Sequence, residues 1–258
     1  GDEPPQLASM NEQQLVQVLT DFNATHRLNA QREILRRGAS RDVVRQLERL
    51  TLDAEQPAYA RVAAMYTLKQ LVGERSHGVL RRAAGDPAVK ALALRALADN
   101  RSQTDGVPVN LFVEALRDSD PFVEMQAING LVRLGAVNRA EAIVPLTASG
   151  DPALSHVAVN ALVKLDARDA ALRAVDRGTA EVRAGALRAL QQMHDPETVE
   201  QLVVRANRAS DASARGEILA ALARLANREA TWEGPYDGGW WGTKPNYVGP
   251  YFDPVAWE

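Results

Sequence analysis

More than any other feature, a stripe of apolar anchors recurring along most of its length limits what this chain can fold into. Ile34, Leu68, Leu97, Leu131, Leu162, Leu190 and Leu222 stand 28 to 34 residues apart, a period that belongs to stacked helical hairpins. Four residues before them sit Ala30, Ala64, Ala93, Ala127, Ala158, Ala186 and Ile218. Positions four apart share one helix face, and a small residue there lets a neighbouring helix approach while the anchor fills the gap. Eleven residues before the anchors stand Asn23, Asp86, Asp120, Asp151, Thr179 and Asp211, with Pro57 in the second copy. Asp, Asn and Thr accept hydrogen bonds from the free N–H groups that open a helix. Pro87, Pro121 and Pro152 follow three of these residues and suit the first helical position. The register predicts about seven copies of one unit, clearest in Asp120–Leu134.

Seven residues before the anchors stand Arg27, Arg61, Lys90, Glu124, Ser155, Arg183 and Arg215. The runs Asp86-Pro87-Ala88-Val89-Lys90 and Glu181-Val182-Arg183 carry a resemblance to the HEAT repeat, in which a helix-opening Asp-Pro is followed by Val-Arg. The resemblance covers roughly residues 11 to 228. It implies an all-α fold, a right-handed α-solenoid of HEAT-like hairpins whose second helices line a concave face. It implies no one activity, because such arrays serve many tasks. Glu124 and Ser155 depart from the basic column, so a continuous Asp–Arg ladder is not expected through the middle copies.

The chain has 258 residues, enough for a sizeable core. Its aromatic content is only 5% against 46% hydrophobic residues, so Ala, Leu and Val must build that core. Of the net charge of −3, the whole is accounted for by residues 231–258, where Lys244 faces Glu233, Asp237, Asp253 and Glu258. The remaining body is neutral, which argues against phosphate-backbone binding through clustered Lys and Arg. There is no cysteine, so disulfides and thiolate metal sites are excluded. No apolar run approaches the ~20 residues of a membrane-spanning helix. His26, His77, His156 and His194 show no metal-ligand spacing. His194-Asp195 reads as a helix end rather than a metal site. No phosphate loop, nucleophile elbow or catalytic cysteine is present, and no carboxylate pair is set apart as acid and base. The repeat body reads as non-enzymatic and free of cofactors.

Along the chain, residues 1–10 read as loosely ordered, residues 11–230 as the repeat array and residues 231–258 as a different material. The opening Gly1-Asp2-Glu3-Pro4-Pro5 reads as the start of a trimmed or mature fragment. Outer helices are predicted near Ser40–Leu52, His77–Ala84, Pro108–Arg117, Arg139–Ala148, Ala167–Asp176 and Pro196–Arg208. The polar insertion Asn100–Gly106 reads as a contact loop or as a solvated turn. Two residues before the anchors, Arg32, Tyr66, Arg95, Asn129, Asn160 and Arg188 are the candidate binding residues of the concave face, with Ala220 closing the column. Two residues after them come Arg36, Gln70, Asp99, Arg133, Lys164, Gln192 and Arg224. Both columns turn away from the core stripe and suit either a groove for a peptide or plain solvated helix faces.

From Thr231 the composition changes. The tail holds all four tryptophans and, with Tyr236, Tyr247, Tyr251 and Phe252, eight of thirteen aromatics, among four prolines and five glycines. Gly and Pro exclude a regular helix, while such aromatic content is unlike disordered sequence. Trp232, Tyr236, Trp240, Trp241, Tyr247, Tyr251 and Trp257 could cap the last repeat, form a carbohydrate-stacking platform or dock on a neighbouring domain. The run Trp240-Trp241-Gly242-Thr243-Lys244-Pro245-Asn246, then Gly249-Pro250-Tyr251-Phe252 and Pro254-Val255-Ala256-Trp257-Glu258, resembles a segment of large exported multidomain proteins of planctomycete-type bacteria. There it lies between a HEAT region and a c-type haem domain, in proteins that also carry a sugar-dehydrogenase-like propeller. Neither haem motif nor propeller is present here, so haem binding and oxidation do not carry over. The resemblance implies a periplasmic or otherwise exported setting and a role between domains.

The sequence is thus expected to encode a non-catalytic scaffold or protein-interaction module, part of a larger exported protein. Its partner would be a protein or another domain of the parent chain, without nucleic acid or membrane. A carbohydrate-binding module that takes up polysaccharide on the tail aromatics is the alternative. A HEAT-type enzyme acting on nucleic acid is the weaker one.

Overall fold

The polar residues that open the repeats behave as helix caps. In the computed structural model, which describes residues 5–229 and 252–257, Asn23, Asp120, Asp151, Thr179 and Asp211 each stand at a helix N-cap. Each side chain accepts from a backbone N–H of the first turn. Pro121 and Pro152 occupy the first helical position behind their caps. Asp86 is different. Its carboxylate accepts from Ala88 N–H at 3.0 Å and from the buried guanidinium of Arg61 at 2.7 Å. The Asp86-Pro87-Ala88 stretch is a turn, and the helix starts only at Lys90.

Two compact units divide the chain, residues 1–139 and 140–258. In the first, α1 (Glu12–Val18) packs on α2 (Ala24–Arg37), α3 (Arg41–Leu52) on α4 (Ala58–Val72), α5 (His77–Ala83) on α6 (Lys90–Ala98) and α7 (Val109–Ala115) on α8 (Pro121–Arg133). The members α2, α4, α6 and α8 stack in one layer, and α1, α3 and α5 in the other. Ala30, Ile34, Ala64, Leu68, Ala93, Leu97, Ala127 and Leu131 are all buried between them. Gly130 allows α8 to lie flush on α7, since a Cβ there would meet the Phe112 ring at 2.2 Å. Before α1, a 3-10 turn at Leu7–Ser9 is held by Arg37, which donates to the carbonyls of Leu7, Ala8 and Met10.

In this unit two members of the basic column make ion pairs, while Arg27 instead donates to the backbone carbonyls of Asp21 and Phe22. Arg61 reaches Asp86, and Lys90 reaches Asp118 at 2.5 Å. Glu124 then brings a second carboxylate toward Asp118, and burial and that neighbour raise it above the usual range. The insertion Asn100–Gly106 is tied down rather than free. Glu74 accepts from the Asp105 N–H at 3.3 Å, and His77 Nδ1 is 3.1 Å from the Asp105 carbonyl.

In the second unit, α9 (Pro152–Lys164), α11 (Ala180–Leu190) and α13 (Ala212–Leu225) are successive neighbours in one layer; α10 (Arg168–Arg177) packs on α11, and α12 (Pro196–Arg208) on α13. Ala158, Leu162, Ala186, Leu190 and Ile218 are buried here. Leu222 is only half-buried. One expected element differs. The outer helix read at Arg139–Ala148 is two 3-10 turns, Val137–Ala142 and Val144–Ala148. Pro145 sits in its middle, where it has no N–H to give and its ring opposes the preceding turn, so a continuous α-helix cannot pass.

After α13 the chain forms β1 (Asn227–Glu229), which pairs antiparallel with β2 (Phe252–Pro254) in the register Asn227–Pro254, Arg228–Asp253 and Glu229–Phe252. Val255 N–H then donates to the Ala226 carbonyl at 2.9 Å. Trp257 follows, its indole N–H donating to the Leu225 carbonyl at 3.0 Å. Its ring lies parallel to that of His194, with centroids 6.5 Å apart.

Candidate functional site

Between α9 and α11 lies a cavity of about 840 Å³. Its walls follow from local sequence. Asp151-Pro152 starts α9 so that Ser155, His156, Val159 and Asn160 line the cavity, and Thr179 starts α11 so that Glu181, Ala184 and Arg188 face them. Gln191 and Gln192 continue the second wall. The third side is the turn that Pro145 enforces, through Thr147, Ala148 and Ser149. Gly185 lets α11 rest directly on this turn: a Cβ there would stand 2.3 Å from the Thr147 hydroxyl oxygen and 2.9 Å from its carbonyl oxygen.

The polar groups form a network around the Thr147 carbonyl and a separate His156–Asn160 pair. Ser155 Oγ–H donates to the Thr147 carbonyl at 2.7 Å. Arg188 Nη2 donates to the same carbonyl at 2.8 Å and to Ser155 Oγ at 3.1 Å. Asn160 Nδ2 donates to His156 Nε2 at 2.8 Å, and Gln192 Nε2 donates to the Arg188 carbonyl at 2.8 Å. Its own backbone N–H first, and then the Thr179 hydroxyl, hold the Glu181 carboxyl below the usual carboxylate range. This arrangement offers fixed hydrogen-bond donors. It does not build a nucleophile, because the Ser155 hydroxyl is committed to a backbone carbonyl and meets no base.

A second cavity of about 450 Å³ is lined by Val163, Gln191, Gln192, His194, Arg224, Asn227 and Arg228. His194 Nε2–H donates to the Asn227 carbonyl at 2.8 Å beside Trp257. Asp195 caps α12 and pairs with Arg168, so the His194-Asp195 dipeptide opens α12 instead of closing α11.

In the first unit, a cavity of about 560 Å³ lies between α2 and α4. Tyr66 lines it, with its hydroxyl 3.4 Å from the Leu92 carbonyl, and burial raises that phenol above its ordinary range. The Arg27 guanidinium stands 4.6 Å over the Tyr59 ring, and Phe22, 88% exposed, meets Tyr59 edge-on at 6.3 Å.

Of the residues expected on a binding face, Asn160 and Arg188 share one cavity, while Tyr66 lines another. Arg32 and Arg95 are exposed on α2 and α6, Arg95 with Asp99 at 3.8 Å, and Asn129 is half-buried on α8. Trp232, Tyr236, Trp240, Trp241, Tyr247 and Tyr251 lie outside the described residues. The sequence reading missed Ser155 as the group that steadies Arg188, and it missed His156 and Arg228. Their only signal was negative: Ser155 breaks the basic column.

A model of HEAT repeats matches residues 78–163 of the chain. No curated protein matches it significantly. Among solved structures, YIBA of Escherichia coli is similar at 17% identity over 85% of this chain and 94% of that one, with a TM-score of 0.51. An engineered protein is similar at 20% identity over 82% and 67%, with a TM-score of 0.47. The complex of CpcE and CpcF of phycocyanin lyase from Nostoc sp. PCC7120 is similar at 13% identity over 87% and 97%, with a TM-score of 0.45. Such identities speak to fold alone. The HEAT-repeat match and the likeness to YIBA, taken with the buried anchors and capped helix pairs, place a HEAT-like helical-repeat domain of the α-solenoid class in this chain.

Proposed function

We propose that this protein is a non-catalytic interaction module, a repeat scaffold that holds another protein or another domain of its parent chain. One observation carries the reading. Asn160 and Arg188, two residues at the same repeat position on successive layer helices, line a single 840 Å³ cavity whose donors are fixed by the backbone. The commitment of Ser155 to a carbonyl supports the absence of catalysis at that site. The test is a peptide array probed with the whole chain, beside a screen for hydrolase and oxidoreductase turnover. Saturable binding to a subset of peptides, weakened in Asn160→Ala and Arg188→Ala, is expected. Turnover by the chain alone, or the lack of any saturable binding, would overturn the reading.

The finer reading counts about seven hairpins, supported by anchors that recur in each helix pair. The exported setting and the place between domains rest on the tail resemblance alone. Detection of the native protein in a periplasmic or secreted fraction tests the first. The carbohydrate reading finds less support, since Trp257, the one candidate tryptophan described, gives its indole N–H to Leu225.

A further inference from the structure

We infer that the cavities along α9, α11 and α13 form one docking surface for an acidic peptide segment, with Arg188 as its carboxylate anchor. The inference rests on the interaction reading above and names the partner's chemistry. The two cavities share Gln191 and Gln192, so the surface runs without a break from Thr147 and Glu181 to Arg224 and Arg228. Along it stand three arginines, Arg188, Arg224 and Arg228, against one acidic residue, Glu181. This excess of cationic groups runs against a chain whose net charge is −3.

Pairing and position together set these arginines apart in the second unit, since Arg177, Arg208 and Arg215 also form no ion pair among the described residues but line neither cavity. Arg168 pairs with Asp195 and Glu197, Arg173 with Glu141, Arg183 with Glu217 and Arg205 with Asp176. Arg188, Arg224 and Arg228 form no ion pair among the described residues. Unpaired guanidinium groups lining a concavity favour a carboxylate-bearing ligand. Arg188 is also set in advance. Thr147 and Ser155 hold its Nη2, and its Nε and Nη1 donors have no protein acceptor among the described residues. An anchor with little side-chain freedom left to lose binds at lower entropic cost. Val159 and Val163 supply apolar contact between the charged positions, so the fitting segment alternates acidic and apolar side chains.

The test measures fluorescence anisotropy of the whole chain with three labelled peptides: alternating Glu and Val, alternating Gln and Val, and alternating Lys and Val. A single-stranded thymidine oligonucleotide is the fourth probe. The Glu/Val peptide is expected to bind best and to weaken as salt screens the exposed charges. Arg188→Ala should weaken it about tenfold, the size of one charge-assisted hydrogen bond. Arg224→Ala and Arg228→Ala, at exposed positions whose side chains make no hydrogen bond or ion pair among the described residues (Arg228 joins the β1–β2 ladder through its backbone), should each weaken it less while leaving the melting temperature nearly unchanged. They keep the test decisive even where Arg188→Ala perturbs the turn. Equal binding of the Gln/Val peptide, or indifference of Glu/Val binding to all three substitutions, would overturn the acidic partner and leave the interaction reading standing. Preferred binding of the oligonucleotide would replace the peptide with nucleic acid. Failure of all three peptides would sink this inference, and the array would then decide the broader reading separately.

Discussion

Lys69 Nζ stands 2.8 Å from His77 Nε2, and both side chains are only 5% exposed. The Asp105 carbonyl, 3.1 Å from Nδ1, takes the ring proton there, so Nε2 is free to accept from the lysine. The imidazole is therefore neutral in the fold. Burial first, and then the Lys69 charge, hold His77 below its ordinary value of 6.5, while the Asp105 carbonyl and Glu74 oppose the shift and Arg81 adds to it. Burial also lowers Lys69, against the pull of Glu74 and Asp99. With the folded value below the unfolded one, the unfolded chain takes up the proton first as pH falls. The stability contribution of His77 is complete above about pH 6.5 and declines below it, as pH falls toward and through the folded value. Melting curves between about pH 7.5 and pH 5 should fall in the wild type and flatten in His77→Gln. Parallel slopes would remove His77 from the account. The protection factor of the Asp105 amide should fall over the same range, because the loop is tied to this pair.

Gly185 and Gly216 should respond to alanine with opposite signs. At Gly185 the new methyl meets Thr147 backbone and side chain, and overpacking of this kind costs about 1–3 kcal/mol. At Gly216, on the exposed side of α13, nothing lies within 4 Å, so alanine should stabilise by about 0.5–1 kcal/mol through helix propensity. Denaturant unfolding of both variants checks the pair.

The return of the chain onto α13 predicts a measurable contribution from Trp257. Trp257→Phe keeps a ring beside His194 and loses the bond to Leu225, a loss of about 1 kcal/mol. Trp257→Ala should lower the melting temperature further, and deletion of residues 232–258 further still. If deletion leaves melting unchanged, the strand pair and the indole contribute nothing to the last helices.

Arg61 and Arg45 test burial against exposure. Arg61 is 3% exposed, donates from Nε to the Thr51 carbonyl at 3.1 Å and pairs with Asp86. Arg45 and Asp42 pair on the open face of α3. Asp86→Ala leaves a buried guanidinium without its carboxylate and should lower the melting temperature clearly, whereas Asp42→Ala should leave it nearly unchanged. The Arg61 hydrogen bond, first, and the Ala88 N–H hold Asp86 below its usual value. Its stabilisation is therefore present above about pH 4 and lost as pH falls through the folded value.

The architecture was legible because the signals that encode it are local and repeated. The alanine four residues before each leucine places both on one helix face, and a cap residue seven further back fixes where that helix begins. Where reading failed, a contact from elsewhere in the fold decided. Asp86 had the sequence of a cap, but Arg61 from the preceding helix pair claims its carboxylate. Pro145 interrupts Arg139–Ala148, a stretch expected to be helical, and its missing N–H and its ring decide the local geometry. The site was only partly legible. Asn160 and Arg188 could be chosen from their shared repeat position, but the role of Ser155 depends on a carbonyl eight residues away in sequence, at Thr147, and on a guanidinium 33 residues away.

The end of the Val144–Ala148 turn has an effect well beyond itself. Thr147 stands among the last residues of that segment, where a carbonyl has no helical N–H to meet, and that oxygen becomes the point on which Ser155 and Arg188 converge. The frayed end of one layer thus dictates the posture of a cation on the next.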